Sequence, residues 1–431
     1  MNELFEKSKK MLSGWKGDSY IFGRSVIDRL GSLASGFGKN ALVICNTANL
    51  KNTADVIIDA LKGAGISIVS GAIAPGAGSN TPRVDVYRIE TYILHHKPDM
   101  IVAVGGGSTI DACKAANFLA ALGAEVTPEI DHWLGMGLVS EALKKSEKKL
   151  TPLIAVQTAA SSGAHLTKYA NITDPSAGQK KLVVDDAIVP PRALFDYDVT
   201  SSMPISVTID GAYDAIAHCF EVFSGLPADA PQEKFDLLAD ITETVLELIV
   251  QYAPCVIKNP SDMEAREAIG MATDLGGYAI MTGGTHGPHM TSFSLVDLTG
   301  HGTACGILNP YYAVFFAPVI EKQIRLAGKV LRKYDYIDEN LDNFSGRELG
   351  IAFANGMIAF GRAIWAPTTL KELPGWNYTY IDKIITAAKD PQLEMKLKNM
   401  PIPLTHAKVD EYMRPIIRAA VNGDLSVIKN M

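Results

Sequence analysis

The stretch Met100-Ile-Val-Ala-Val-Gly-Gly-Gly-Ser-Thr-Ile-Asp-Ala-Cys-Lys114 constrains this chain more than any other. An unbroken apolar run enters three glycines, and a helical pattern opens directly behind them. A short apolar run bounded by turn residues reads as a buried strand. Glycines let a backbone approach a ligand closely and take positive φ. The helix N-terminus behind them offers free N–H groups and a positive dipole end, which suit a phosphate. Ser108 and Asp111 stand at a capping-box spacing, with Asp in place of the usual Glu. A plain tight turn would use the same residues, and the spacing is not the G-x-G-x-x-G of the usual dinucleotide fingerprint. The strand-before, helix-after context favours a pyrophosphate site at Gly105, Gly106, Gly107, Ser108 and Asp111.

The neighbouring sequence repeats that alternation. Ala41 to Asn46 is a strand entering a loop, and 52–62 carries a helical face with Gly63 and Gly65 to end it. Ile66 to Val69 reads as a strand, 74–82 as a loop full of turn formers, 83–96 as a helix. Further strands fall at 153–156, 181–184 and 192–195. Strands alternating with helices predict βαβ units and a mostly parallel sheet. Asn46 ends the first clear strand, where nucleotide folds line their ligand crevice. An acidic residue there would hold a ribose 2′-OH and repel a 2′-phosphate; Asn46 can bond either, or serve as simple loop entry. The polar segment 125–149 reads as a surface excursion.

From about Ser206 the pattern becomes helical, with segments at 236–249, 263–281 and 312–331. This predicts two domains, an α/β unit over 1–203 and a helical unit over 204–431. Asp214 and His218 lie four apart on a largely apolar helix, so they share one face. A buried carboxylate needs a partner, because an unpaired buried charge costs several kcal/mol. A metal ion would supply it. Asp210 and Glu221, a turn away, suit supporting or capping roles. Downstream, Gly283-Gly-Thr-His-Gly-Pro-His289 and Thr299-Gly-His-Gly302 add Gly-flanked histidines. Asp214, His218, His286 and His301 make an Asp/His₃ donor set, suited to Fe(II), Zn(II), Co(II) or Mn(II). Any one of these histidines alone reads as well as a satisfied core residue.

Composition narrows the classes. With 40 Lys+Arg against 47 Asp+Glu, the net charge of −7 is no footprint for nucleic acid. No apolar stretch is long enough to span a bilayer. The segment Met1 to Lys10 is charged and has no apolar core, so it does not read as a secretory signal. The 5 cysteines are widely spaced and form no C-x-x-C pair, which fits a reducing cytoplasm without disulfides or a zinc knuckle.

Taken together, the two motifs resemble the iron-dependent (group III) alcohol dehydrogenases, nearly end to end. Gly105 to Lys114 is similar to that family's pyrophosphate turn. Asp214-Ala-Ile-Ala-His218-Cys-Phe-Glu221 is similar to its first metal segment, with His286 and His301 where it supplies two further metal histidines. Ser79-Asn80-Thr-Pro82 resembles its cofactor loop. Thr158-Ala-Ala-Ser-Ser162-Gly-Ala-His-Leu-Thr167 resembles its nicotinamide-side segment, and Lys181 falls near its cofactor-contacting lysine. Asn399-Met-Pro401 resembles its C-terminal Asn-Pro turn. His289 lies near the family histidine that relays protons beside the substrate. The chain departs from the family in Asn46, where NAD-preferring members carry Asp, and in Ala164-His165, where Ser-Glu is usual.

The resemblance implies a Rossmann-like α/β domain followed by an all-α domain, with the active cleft between them. It implies Fe2+, with Zn2+ as the substitute, and NAD(H) or NADP(H). The metal acts as a Lewis acid on the alcohol or aldehyde oxygen, hydride passes to or from nicotinamide, and aldehyde reduction is the expected direction. The expected protein is a cytoplasmic homo-oligomer, dimeric or larger, acting on a small alcohol or aldehyde, with no nucleic-acid or membrane partner. A dehydroquinate-synthase-like lyase shares this architecture and is the alternative. It would need several basic residues for a phosphorylated substrate, and none cluster beside the metal segments.

Overall fold

The computed structural model describes residues 2–69, 71–174 and 178–431; Met1, with which the N-terminal segment read above begins, lies outside them. Two compact units emerge. One is Lys10–Met203, and the other joins the residues before Lys10 to Pro204–Met431. The change of unit at 203 to 204 falls where the helical composition begins. Residues 2–9 go with the helical unit, where Asn2 bonds the Tyr252 hydroxyl and Lys7 pairs with Asp240.

The α/β unit carries a six-stranded sheet. Its strands are β1 (Tyr20–Gly23), β2 (Asn40–Cys45), β3 (Ser67–Ile68), β4 (Met100–Gly105), β6 (Leu153–Gln157) and β9 (Arg192–Asp196), in the spatial order β1-β9-β6-β4-β2-β3. Every pairing in it is parallel. Parallel strands are buried on both faces and so read as continuous apolar runs. β4 is buried at all six positions. Alternate residues serve opposite cores. Leu42, Ile44, Ile101 and Ala103 face one cluster, while Ala41, Val43, Val102 and Val104 face the other. Helices α1 (Glu3–Lys16), α2 (Leu30–Ala34), α3 (Thr47–Gly63), α4 (Arg83–His96), α5 (Gly107–Leu122) and α6 (Leu138–Ser146) complete the first part of the chain.

β2 continues to the edge strand β3, whereas β4 turns the other way, toward β6. The direction of winding reverses between β2 and β4, and ligands of open α/β sheets bind at the carboxyl ends of strands at such a point. A second, three-stranded sheet has the order β5-β8-β7, from β5 (Gly135–Met136), β7 (Tyr169–Asp174) and β8 (Gln179–Val184). The segment 125–149 is thus more than a surface excursion. It holds β5 and α6, and Trp133 within it is fully buried against Phe118. The polar residues around that tryptophan masked its anchoring role.

The helical unit comprises α7 (Ile205–Ser224), α8 (Gln232–Lys258), α9 (Met263–Thr282), α10 (Gly287–Ser292), α11 (His301–Phe316), α12 (Glu321–Lys333), α13 (Gly346–Ala363), α14 (Thr379–Ala387), α15 (Glu394–Lys398) and α16 (Val409–Asn422). The helix expected at 312–331 is two, α11 and α12, separated by a turn at Ala317–Val319. α7 runs through the middle, packed by α8, α9 and α11. Among the described residues no helix is long and apolar enough to cross a membrane.

Candidate metal centre and nucleotide turn

α7 presents Asp214, His218 and Glu221 four and three residues apart, on one face, all buried. α11 can approach that face because it begins His301-Gly302. A Cβ at Gly302 would lie 1.9 Å from the Asp210 carbonyl oxygen and 2.7 Å from Asp214 Cβ. Asp210 caps α11 by accepting the Thr303 N–H at 2.7 Å, the supporting role its position suggested. α10 is opened by Gly287-Pro288 and brings His289 to the same place.

Three imidazole nitrogens converge on one carboxylate oxygen. The Nε2 atoms of His218, His289 and His301 lie 3.5, 3.7 and 3.9 Å from Asp214 Oδ1. Donors bound at roughly 2.0–2.2 Å around a tetrahedral ion stand about 3.4 Å apart, close to these three distances, and the donor atoms of Asp214, His289 and His301 all lie within 4.8 Å of one another. The proton positions fit as well. His289 Nδ1 lies 2.7 Å from Glu221 Oε1, and an ionised carboxylate only accepts, so His289 carries its proton there and aims a lone pair at Asp214. The Ser292 hydroxyl donates to the His289 carbonyl at 2.7 Å. It therefore accepts from His301 Nδ1 at 2.9 Å, which leaves the His301 Nε2 lone pair facing inward too.

Burial would raise the Glu221 carboxyl, but its interactions with His289 and His286 outweigh it and hold the group at about 2. Glu221 also accepts from the His286 N–H at 2.9 Å and the Asn309 amide at 3.2 Å. Burial, then the neighbouring His289, pushes His218 well below the ordinary imidazole range. Neutral imidazole is the form that ligates metal.

One expected donor, His286, stands apart from the other three. His286 does not reach Asp214 in the way His289 does, because both of its ring nitrogens are committed elsewhere. Its Nδ1 accepts the Gly287 N–H at 2.9 Å. Its Nε2 lies 3.0 Å from Ser224 Oγ, whose own proton goes to the Glu221 carbonyl, so Nε2 donates. His289, expected as a proton relay, has its Nε2 3.7 Å from Asp214 Oδ1. Nothing in the sequence singled out Cys305, whose sulfur shares a 4.8 Å cluster with donor atoms of Asp214, His289 and His301. Burial raises that thiol well above its ordinary range.

In the α/β unit, Asn46, the 74–82 loop, Gly105 to Gly107, Thr158 and Ser162 gather at the carboxyl ends of β2, β4 and β6. Asn46 donates to the Ala77 carbonyl at 2.7 Å, and the Thr158 N–H bonds the Gly105 carbonyl at 3.1 Å. None of the three glycines has positive φ, so their freedom to adopt it is not why they are there. A Cβ at Gly105 would meet Thr109 Cβ at 2.7 Å, and one at Gly107 would meet Ser162 Oγ at 2.5 Å. Those two positions are closed by the protein's own packing. Gly106, the N-cap of α5, would meet only Ala159 at 3.5 Å, an ordinary contact. Ser162 Oγ is buried without a hydrogen-bond partner among the described residues. A stripped backbone at a helix N-terminus beside an unsatisfied hydroxyl fits a phosphate group.

The loop above the turn is strained. Asn80 and Thr81 have φ of 61° and 52°, costly for β-branched Thr. The Thr81 hydroxyl on the Ser108 carbonyl at 3.3 Å, and the Thr173 N–H on the Thr81 carbonyl at 2.9 Å, hold it there. Three expected cofactor residues also make contacts within the protein. Asp111 does not cap α5; it is buried, accepts from the Asn171 N–H at 3.0 Å and sits 3.7 Å from Lys114. The Thr167 carbonyl takes the Lys114 ammonium at 2.8 Å. Lys181 pairs with Asp174 at 3.2 Å and Asp131 at 3.6 Å. His165 is buried, with Nε2 3.2 Å from the Tyr20 hydroxyl, so it belongs to the core.

Comparison with known proteins covers nearly the whole chain. The family model described as iron-containing alcohol dehydrogenase matches residues 18–197, and the one described as the C-terminal part of the Fe-containing alcohol dehydrogenase family matches 208–416. The NAD-dependent methanol dehydrogenase of Bacillus methanolicus is 27% identical over 347 residues, 79% of this chain and 83% of that protein. The mitochondrial hydroxyacid-oxoacid transhydrogenase of Mus musculus is 25% identical over 342 residues, 71% of each chain. The solved alcohol dehydrogenase from Oenococcus oeni superposes with a TM-score of 0.77 at 22% identity, over 94% of this chain and 98% of that one.

Proposed function

The chain belongs to the iron-containing alcohol dehydrogenase family, and on that premise we propose that Asp214, His218, His289 and His301 hold its catalytic divalent metal. It is an oxidoreductase that transfers a hydride between a nicotinamide cofactor and an alcohol or aldehyde. The lyase alternative is not favoured, since both family models are dehydrogenase models. The observation that carries the metal assignment is the convergence of three Nε2 atoms on Asp214 Oδ1, at 3.5 to 3.9 Å. Iron(II) is the native ion in this proposal and Zn(II) its substitute, because three imidazoles and one carboxylate accept both.

A cation bound there supplies Lewis-acid polarisation of the substrate oxygen. The residues do the rest. Asp214 brings the one negative charge among the four donors. Glu221 and Ser292 fix the tautomers of His289 and His301, so that no reorganisation is needed when the ion arrives. The Gly105–Gly107 turn and Ser162 take the pyrophosphate, with the N–H groups of α5 as donors. The Asn46 amide, drawn to the Ala77 carbonyl, brings no negative charge to repel a 2′-phosphate, so the proposal includes both NADH and NADPH, with aldehyde reduction as the working direction. By family resemblance it extends to a cytoplasmic homo-oligomer, which light scattering tests for assembly.

The deciding experiment strips the protein with a chelator and restores Fe(II) or Zn(II) before assaying aldehydes with each reduced nicotinamide. Turnover should vanish and return with the metal. Full turnover by protein shown to be metal-free would overturn the assignment.

A further inference from the structure

The loop that roofs the glycine turn is held from outside by an ion pair. Arg88, on α4, donates from Nη1 to the Pro75 carbonyl at 2.7 Å and from Nη2 to the Gly76 carbonyl at 2.8 Å. Asp85, one turn earlier, fixes that guanidinium by accepting from Nη2 at 2.8 Å through Oδ1. Its Oδ2 accepts the Gly78 N–H at 2.8 Å. Residues three apart share one helix face, so this carboxylate and guanidinium grip the backbone on both sides of Ala77. Neither residue has a part in the chemistry above.

The inner side of the loop meets the nucleotide turn. The Ala77 N–H donates to Thr109 Oγ1 at 3.2 Å. A Cβ at Gly76 would lie 2.7 Å from that oxygen and 3.1 Å from Asn46 Cγ, so the loop is already as close as its atoms allow. The Ala77 carbonyl takes Asn46 Nδ2 at 2.7 Å. A carbonyl only accepts, so the Asn46 amide is locked with its nitrogen toward the loop, and the group left over is the acceptor Oδ1. Asn46 itself is half-buried. A cleft of about 770 Å³ opens at Ala48 and Asn49, just beyond it, and reaches Ser25 and Asp196 at the carboxyl ends of β1 and β9. The cleft is lined by the carboxylates of Asp28, Asp196 and Asp198 against the one ammonium of Lys51.

We propose that Asp85 and Arg88 are positioning residues for the cofactor: through the 75–78 loop they hold Asn46 with its acceptor toward the adenosine ribose, and the site thereby prefers NADH to NADPH. This rests on the cofactor placement proposed above, and both nucleotides remain usable. Nucleotide folds bind the ribose at the carboxyl end of a strand such as β2. A ribose 2′-hydroxyl there donates to Asn46 Oδ1. A 2′-phosphate brings acceptors to face an acceptor, and it adds negative charge beside an acidic lining. The ion pair on α4 therefore sets selectivity without touching the nucleotide.

Fluorescence titration of the wild-type protein with NADH and with NADPH tests this without turnover and without a variant. NADH should bind about tenfold more tightly, the equivalent of one hydrogen bond made rather than refused. Arg88→Met releases the loop and lets the Asn46 amide turn, so the ratio of the two affinities should fall to within about twofold of one. Arg88→Lys, which can keep one of the two carbonyls, should hold an intermediate ratio. A merely structural role would weaken both nucleotides together and leave the ratio in place. In an Asn46→Ala background, Arg88→Met should move the ratio no further, because the two residues act through one group. Equal wild-type affinities, tighter binding of NADPH, or a ratio that folded Arg88→Met leaves unchanged overturns the proposal and spares the cofactor placement. Binding of neither nucleotide by the wild type defeats that placement, and the proposal with it.

Discussion

The nucleotide turn and the metal corner are built on opposite plans. The turn is one contiguous stretch, Met100 to Lys114, in which a strand, three glycines and a helix follow in order. The corner gathers side chains from α7, α10 and α11, and what decides its membership is where protons sit. His286 and His289 are three residues apart with glycine and proline between them, and both touch Glu221. One turns a lone pair to Asp214, and the other spends both nitrogens on Gly287 and Ser224. A motif written along the chain declares its geometry, whereas a convergent one declares only its ingredients.

The sharpest way to break this contrast is at those two histidines. His289→Ala should lose the bound metal and about 10³-fold in kcat, since Lewis-acid stabilisation amounts to several kcal/mol. His286→Ala should keep near-stoichiometric metal by elemental analysis. A His286→Ala protein emptied of metal beside a His289→Ala protein that retains it would reverse the assignment.

Next in size is the buried pair that ties the turn's helix to the second sheet. Lys114 donates to the Thr167 and Tyr169 carbonyls at 2.8 and 2.7 Å and balances buried Asp111. Lys114→Met strands that carboxylate, and breaking a buried pair from one side costs about 3–5 kcal/mol. Urea denaturation should show it, and a change under about 1 kcal/mol would mean that Asp111 is held without the lysine. The corresponding support in the metal corner is Glu221. Glu221→Gln keeps the shape but removes the charge that fixes His289, and loss of such a supporting carboxylate weakens metal affinity about 10- to 100-fold. A competition titration with a chromophoric chelator measures this, and unchanged affinity would leave His289 oriented by packing alone.

How much was legible follows the same divide. The parallel sheet was legible because strands buried on both faces, β2, β4 and β6, are continuous apolar runs. The edge strand β1, with one of four residues buried, was not, nor was β7, which runs in the small sheet. Asp214 and His218 were legible as an i, i+4 pair on one helix. His301 was legible from its flanking glycines, whose reason is steric, since Gly300 and Gly302 both press on Asp210. His289, Ser292 and Cys305 were not, because their roles depend on the contact of α10 and α11 with α7, which no local pattern encodes. Asp111 was read from its spacing to Ser108 and Lys181 from the resemblance, and their contacts with Asn171, Asp174 and Asp131 form only in the folded chain, so no local pattern showed them.

The smallest effect separates packing from ligand binding within the turn itself. At Gly105 and Gly107 any side chain collides with Thr109 or Ser162, so glycine there is explained without a cofactor. At Gly106 a methyl would meet only Ala159 at 3.5 Å, so the fold tolerates alanine. If the pyrophosphate lies against this backbone, that methyl stands where a phosphate oxygen must come and costs roughly one charge-assisted hydrogen bond. Gly106→Ala should then keep the wild-type melting temperature and bind NADH and NADPH about tenfold more weakly in a fluorescence titration. Gly107→Ala should instead lose stability through its clash with Ser162. Unchanged cofactor affinity in Gly106→Ala would reduce the turn to a packing device and remove the phosphate site from the carboxyl end of β4.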